Sequence, residues 1–356
     1  MDTNGLIDPM QKKTKDTLTY ILSIALAVVL LFFSFKSVDW KQFVEALKFC
    51  RWGYVLMSMG VGMLVIFIRS LRWRMQILPI DGSIGRITTF NAYGICMVVN
   101  IVLSRVGEIV RCGYVTKHSE RGEDGQKKAS VDKVLGTVVV DRVWDGVSLA
   151  IVFVIMLLAL WNKFGAFFRD TVFSGLSGRK TILWIVIALV AVLAVVVLLS
   201  RRLSARGGVW AKIWGVLQGM GNGLSSCLHM KNGWLFIVYT AVIWICYWLM
   251  SAGIMWSLQG IDPSSVSPEL ADSLGKVNDL GMEDALFLMF AGALSSLVPV
   301  PGGFGAFHTV VSLALSSVYG IPFGIGMIFA TLSHESQIVA DLLVGVPSYI
   351  YETVRK

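Results

Sequence analysis

Residues 285–319 read ALFLMFAGALSSLVPVPGGFGAFHTVVSLALSSVY, and this stretch decides the fold. It carries no Lys, Arg, Asp or Glu, so by hydropathy alone it would pass for one long membrane helix. Its centre forbids that. Pro299, Pro301, Gly302, Gly303 and Gly305 crowd together there; each proline removes a backbone donor and the glycines favour unwound chain. The flanks, 285–298 and 306–319, have 14 residues each, about 21 Å of helix at 1.5 Å per residue. A hydrocarbon core is about 30 Å thick. The stretch is therefore predicted to enter a membrane as a helical hairpin and turn back, its unwound centre sheltered by protein or a water-filled cavity.

The rest of the chain agrees with that setting. Of 356 residues 55 % are hydrophobic and only 15 % charged, with a mean hydropathy of +0.70. Soluble domains carry about 25 % charged residues, so a cytosolic enzyme with a watered surface is excluded. Further uncharged runs cover 17–35, 52–68, 87–104, 146–162, 181–200 and 232–261, most of them near the roughly 20 residues a crossing helix needs. The predicted class is all-α. Lys12, Lys13 and Lys15 precede the first run, but the run is too long for a signal-peptide core and no small-x-small site follows, so it is read as a retained span. Cys50, Cys96, Cys112, Cys227 and Cys246 are scattered and odd in number, with neither a disulfide framework nor zinc-knuckle spacing.

Lysine and arginine set the predicted topology. Let the N-terminal tail, 1–16, be cytoplasmic, with spans near 17–35, 52–69, 136–161, 181–200, 233–257 and 322–350. Then 19 of the 31 Lys and Arg lie inside and 9 outside, with Arg105, Arg111 and Arg142 set aside as buried. The net charge of +8 follows from this bias and implies no nucleic-acid partner. The count works only if 87–116 and 285–319 do not cross. Both are predicted to be re-entrant hairpins, one from each face, added to about six full spans in one transmembrane domain, 1–356, with both termini cytoplasmic. Gly94 to Gly107 and Gly292 to Gly305 share a spacing of 13, which lays Ser104-Arg105 over Gly302-Gly303 and puts the first break at Asn100 to Gly107. Paired broken segments in an inverted arrangement point to a transporter site near the midplane. Trp40, Phe43, Val44 and Leu47, and likewise Trp210, Ile213, Trp214 and Leu217, recur at helical spacing among charges and suit helices lying in the headgroup layer.

Ionisable residues at membrane depth cost about 2.5–3.5 kcal/mol each on insertion, and so default to functional candidates. Three groups qualify: Arg105, Glu108 and Arg111 beyond the first break; Asp141, Arg142 and Asp145 one turn apart on a later span; and His308 with His334, Glu335 and Asp341. The first two groups sum to zero charge, which suits a salt-bridge network that only pins helices. Three converging guanidiniums equally suit a phosphate, whose oxygens match the arginine fork. For His308 and His334 the favoured reading is hydrogen-bonded interior histidines, ahead of proton handling or metal binding.

Three segments resemble one family. Asn100-Ile101-Val102-Leu103-Ser104-Arg105-Val106-Gly107-Glu108-Ile109-Val110-Arg111 is similar to the N-x-x-x-P-x-R-x-G-E-x-x-R signature of the lysylphosphatidylglycerol synthase transmembrane, or flippase-like, family. Asp141-Arg142-Val143-Trp144-Asp145 looks like its acidic-Arg-x-x-Asp segment, and Pro299 to His308 like its P-x-x-P-G-G-x-G hairpin. The sequence departs from the pattern at His308, where many members have glutamate, and at Ser104-Arg105, which lacks the nearby proline. The resemblance implies a lipid translocase of the cell (inner) membrane acting on phospholipids with charged headgroups. Arg105, Glu108, Arg111, Asp141, Arg142 and Asp145 would line the headgroup cavity, and Asn100, Pro299, Pro301, Gly302, Gly303 and Gly305 would form the breaks. The family's soluble aminoacyl-transferring domain has no counterpart before Lys356, so lysyl transfer is not expected of this chain. A second copy and a separate lipid-modifying enzyme are candidate partners.

No G-x-x-x-x-G-K-[ST] loop is present, so transport would be passive or ion-coupled, and no cofactor is expected. Two alternatives stand beside the translocase. One is an intramembrane enzyme using His308, His334 and Glu335, although His334-Glu335-Ser336-Gln337 is not H-E-x-x-H and no G-x-S-x-G elbow occurs. The other is a transporter for a small anionic solute.

Overall fold

The computed structural model describes residues 38–123, 125–159, 232–296, 298 and 300–354, with scattered positions at 25, 28, 29, 32, 36, 195, 198–203, 210, 214 and 230. Apart from those positions, the expected spans at 17–35 and 181–200 and the interfacial stretch around Trp210 lie outside the described residues, as do the tail 1–16 and Pro299. What is described is helical, as predicted: α1 Trp40–Phe49, α2 Trp52–Ile77, α3 Arg86–Val102, α4 Val106–His118, α5 Val131–Ala159, α6 Gly233–Leu258, α7 Pro268–Asn278, α8 Met282–Ser295, α9 Ala306–Tyr319 and α10 Phe323–Val354. Among the described residues the nearest thing to a strand is one isolated bridge between Arg121 and Lys127.

Helix lengths follow from the sequence breaks. The α2 and α6 helices, 26 residues each, are long and apolar enough to cross a membrane. The α5 and α10 helices have 29 and 32 residues, about 44 and 48 Å, but carry charged side chains along their lengths. By contrast α3, α4, α8 and α9 have 17, 13, 14 and 14 residues, all short of about 30 Å. Large apolar side chains face outward, including Ile151, Ile155 and Leu158 on α5 and Leu343 and Ile350 on α10, as expected of helices solvated by lipid.

The chain divides into two compact units. The first takes its described residues from Met1–Ile66, Asn91–Arg111 and Cys246–Lys356. Here Asp39 caps α1 by accepting from the backbone N–H of Lys41 at 2.8 Å, and Glu45 on α1 accepts from the N–H and hydroxyl of Ser267, fixing the start of α7. Phe43 and Ala46 form the buried face of α1, Leu47 is half-buried and Trp40 and Val44 stay exposed, so the expected apolar row is split between the protein and the outside. The α3 and α10 helices meet backbone to backbone: a Cβ on Gly345 would lie 2.4 Å from the carbonyl oxygen of Gly94. Small residues at such crossings let membrane helices approach closely. The second hairpin is closed at its open end, where the Tyr319 hydroxyl donates to Asp284 at 2.8 Å.

The second unit takes its described residues from Phe67–Phe90 and Cys112–Ile245. It holds the open end of the first hairpin, closed in a comparable way. Asp81, just before α3, accepts from the Ser119 hydroxyl at 2.5 Å and the Glu120 N–H at 3.0 Å, just after α4. Burial pushes this carboxyl up, but those bonds and two more from Ser83 outweigh it and hold the pKa down at about 2. Both ends of the 86–118 segment thus come together.

One boundary differs from expectation. The α2 helix does not stop near Arg69 but continues to Ile77, so Arg69, Arg72 and Arg74 are helical rather than part of a cytoplasmic loop. The physical reason is the set of carboxylates that Arg69 and Arg72 meet.

Candidate functional site

The break of the second hairpin is one 3-10 turn, Pro301–Gly303, leading to α9. Gly302, Gly303 and Gly305 have φ of 58°, 77° and 78°, backbone that a side chain would strain. Glycine at Gly302 also permits close approach: a Cβ there would lie 3.1 Å from the carbonyl oxygen of Ile101, at the end of α3. The two breaks therefore touch. The freed carbonyl of Gly302 is satisfied by the ring of His334, whose Nε2–H donates to it at 2.8 Å. His334 is enclosed by Phe304 and Phe307, with ring centroids 5.1 and 5.4 Å away, and by His308 at 5.0 Å. Its Nδ1 lies 3.1 Å from Glu335 Oε1, and His308 Nε2 lies 3.6 Å from that same oxygen. Asp341, two turns further along α10, is not one of the donors in this cluster.

The first break spans Leu103–Arg105 between α3 and α4. Asn100 bridges it: its side-chain oxygen accepts from the N–H of Gly107 at 2.9 Å, capping the α4 start. Gly107 is required by space, since a Cβ there would lie 2.2 Å from the carbonyl oxygen of Cys96. Arg105 has φ of 67° and is the only non-glycine residue of the described chain with positive φ. It is exposed, Glu108 is half-buried, and Arg111 is fully buried with its guanidinium 4.9 Å from the ring centre of Tyr93. A cation over an aromatic face is a favourable way to bury an arginine.

The second unit has its own charge network. Arg72 Nη2 donates to Asp141 at 2.8 Å and also to Asp145, and Arg69 donates to the other oxygen of Asp145. Arg72 is completely buried, stacked 5.5 Å over Phe236, with Nη1 3.4 Å from the Thr240 hydroxyl. Thr240 also accepts from Trp144 Nε1 at 2.9 Å, and Trp73 Nε1 donates to Thr137 at 2.9 Å. Arg142, expected to pair with Asp145, is 3.9 Å away and 43 % exposed.

Residues 20–345 match the lysylphosphatidylglycerol synthase TM region. The chain belongs to this family. No curated protein and no solved structure matches it. Membership makes the chain a membrane protein of a transmembrane family tied to lipid metabolism or translocation.

In this family member Arg105 lies in the break just before α4 and Glu108 and Arg111 lie on its first two turns, while Asp141 and Asp145 are held by Arg69 and Arg72, expected in a loop. The missed signal was spacing. Arg69 and Arg72 lie one turn apart, as Asp141 and Asp145 do, so two helices offer matched rows of opposite charge. The positive-inside count treats every arginine near a span end as watered and cannot see such a match.

Proposed function

We propose that this chain is a translocase for phospholipids with charged headgroups. The supporting observation is the contact between two interrupted helix pairs, Gly302 against Ile101, each helix too short to cross and each pair returning to its start. Broken helices in matched halves are a recurrent basis for alternating access. In this reading the hairpins 86–118 and 282–319 enter from opposite faces among about six full spans, and both termini are cytoplasmic. Arg105, in the break before α4, takes the headgroup phosphate with Arg111 on the second turn of α4 behind it, and Glu108 orients them or receives a headgroup amine. In the other unit Arg142 and Asp145 are the candidate headgroup contacts, with Asp141 the counter-ion of Arg72. No nucleotide step is invoked, so lipid moves down its gradient or with an ion.

The test is reconstitution in liposomes containing a fluorescent anionic phospholipid, with a membrane-impermeant quencher added outside. Active protein makes the inner-leaflet label accessible faster than in protein-free vesicles, and equal rates reject the proposal. Thiol labelling at residues 90 and 115, and at 287 and 318, in a cysteine-free background checks the topology. Each pair is expected to react from one side.

A further inference from the structure

We propose that His308, His334 and Glu335 bind one divalent transition metal of the zinc class at the second helix break. The inference stands apart from lipid transport and can fail or hold without it.

The three side chains converge from two helices. His308 comes from the first turn of α9, and His334 and Glu335 from the middle of α10, yet one donor atom of each lies within 4.8 Å of the others. Two of those separations are 3.1 and 3.6 Å. Nitrogen and oxygen ligands about 2.0–2.1 Å from a tetrahedral zinc stand about 3.4 Å apart, so small rotations close the set.

Hydrogen positions also call for a cation here. The Gly302 carbonyl only accepts, so His334 must carry its proton on Nε2. A neutral ring then presents the Nδ1 lone pair to a carboxylate oxygen, an acceptor facing an acceptor at 3.1 Å. A cation belongs between them. The Nε2–H bond to a backbone carbonyl is also the outer contact by which metal-binding histidines are oriented. A proton shared by Nδ1 and Glu335 would satisfy that pair alone. A metal ion uses all three.

The surroundings fit a site with one open position. Phe304 and Phe307 cover the His334 ring and His308 is buried, while the Glu335 side chain is 43 % exposed. Two neutral imidazoles and one carboxylate leave a divalent ion with one positive charge, which would take water or an anionic oxygen as fourth ligand. The sequence offered these three residues as one group but, with His308 at the start of α9 and His334-Glu335 within α10, not the convergence of their donor atoms.

The experiment uses tag-free full-length protein in detergent, stripped with chelator and titrated with Zn²⁺ and with Co²⁺. One metal per chain is expected, with the cobalt form showing four-coordinate ligand-field bands. Glu335→Gln, half-exposed and isosteric, should melt like wild type and bind zinc about 100-fold more weakly. His308→Ala should lose the cobalt bands, whereas His118→Ala should leave both readouts unchanged. Uptake well below one zinc per chain after reconstitution would overturn the proposal, leaving a proton as the bridging cation. Undiminished binding by Glu335→Gln would overturn it equally.

Discussion

The Tyr319 hydroxyl donates to Asp284 at 2.8 Å, tying the last residue of α9 to the first turn of α8. Asp284 is fully buried and its other oxygen accepts from the N–H of Gly281 at 2.7 Å, so one carboxylate caps a helix and closes a hairpin. Tyr319→Phe removes the closing donor and should destabilise the protein by about 1–3 kcal/mol, the cost of a buried acceptor losing a partner. Thermal unfolding in detergent measures it; an unchanged midpoint would show that the bond contributes nothing.

Asp81 does the corresponding work for the first hairpin, and its titration has a sign. Its folded pKa of about 2 lies below the ordinary 3.8, so its contribution is complete above about pH 4 and is lost as pH falls through 2. Asp81→Ala should cost roughly 2 kcal/mol at pH 7 and show a smaller further loss on acidification than wild type. Melting curves at pH 7 and pH 3 for the two proteins give the comparison.

Removing Arg72 takes a buried ion-pair partner from both Asp141 and Asp145, and Arg72→Ala is expected to cost about 3–5 kcal/mol. Arg142→Ala, at an exposed position with a 3.9 Å pairing, should cost less than about 1 kcal/mol. Side-by-side denaturation of the two variants separates an arginine that pins the fold from one that does not.

At Arg105 backbone and charge can be set against each other. Left-handed backbone costs a non-glycine residue about 1–2 kcal/mol, so Arg105→Gly should leave stability equal or raised. If the guanidinium holds a headgroup phosphate, the same variant slows lipid exchange in liposomes while Arg105→Lys retains part of it. Exchange at the wild-type rate by Arg105→Gly removes this residue from the proposed route.

Gly345→Leu tests the α3–α10 crossing, where even a Cβ would lie 2.3 Å from Val98 Cγ2. Overpacking of this kind costs about 1–3 kcal/mol or more. A lowered melting midpoint in detergent is the expected result.

The second hairpin break was legible because proline and glycine act locally: α9 spans Ala306–Tyr319 as the flanks of the glycine run predict. The weak repeat was also legible, and its register laid Arg105 over Gly303, two residues that share positive φ at 67° and 77°. Helix starts shifted by a few residues where caps intervened; α8 begins at Met282, after the Gly281 cap, rather than at Ala285.

Sequence by itself determined that this is a helical membrane chain of the lysylphosphatidylglycerol synthase transmembrane family, where its helices break, and which charges sit among apolar residues. Those properties belong to short windows, whose hydropathy and backbone preferences need no distant partner. Only the tertiary structure decided that Arg72 belongs to Asp141 and Asp145, and that His308 reaches His334 and Glu335. Pairing depends on which faces of separate helices meet, and the spacing of residues along one helix carries no record of the face opposite.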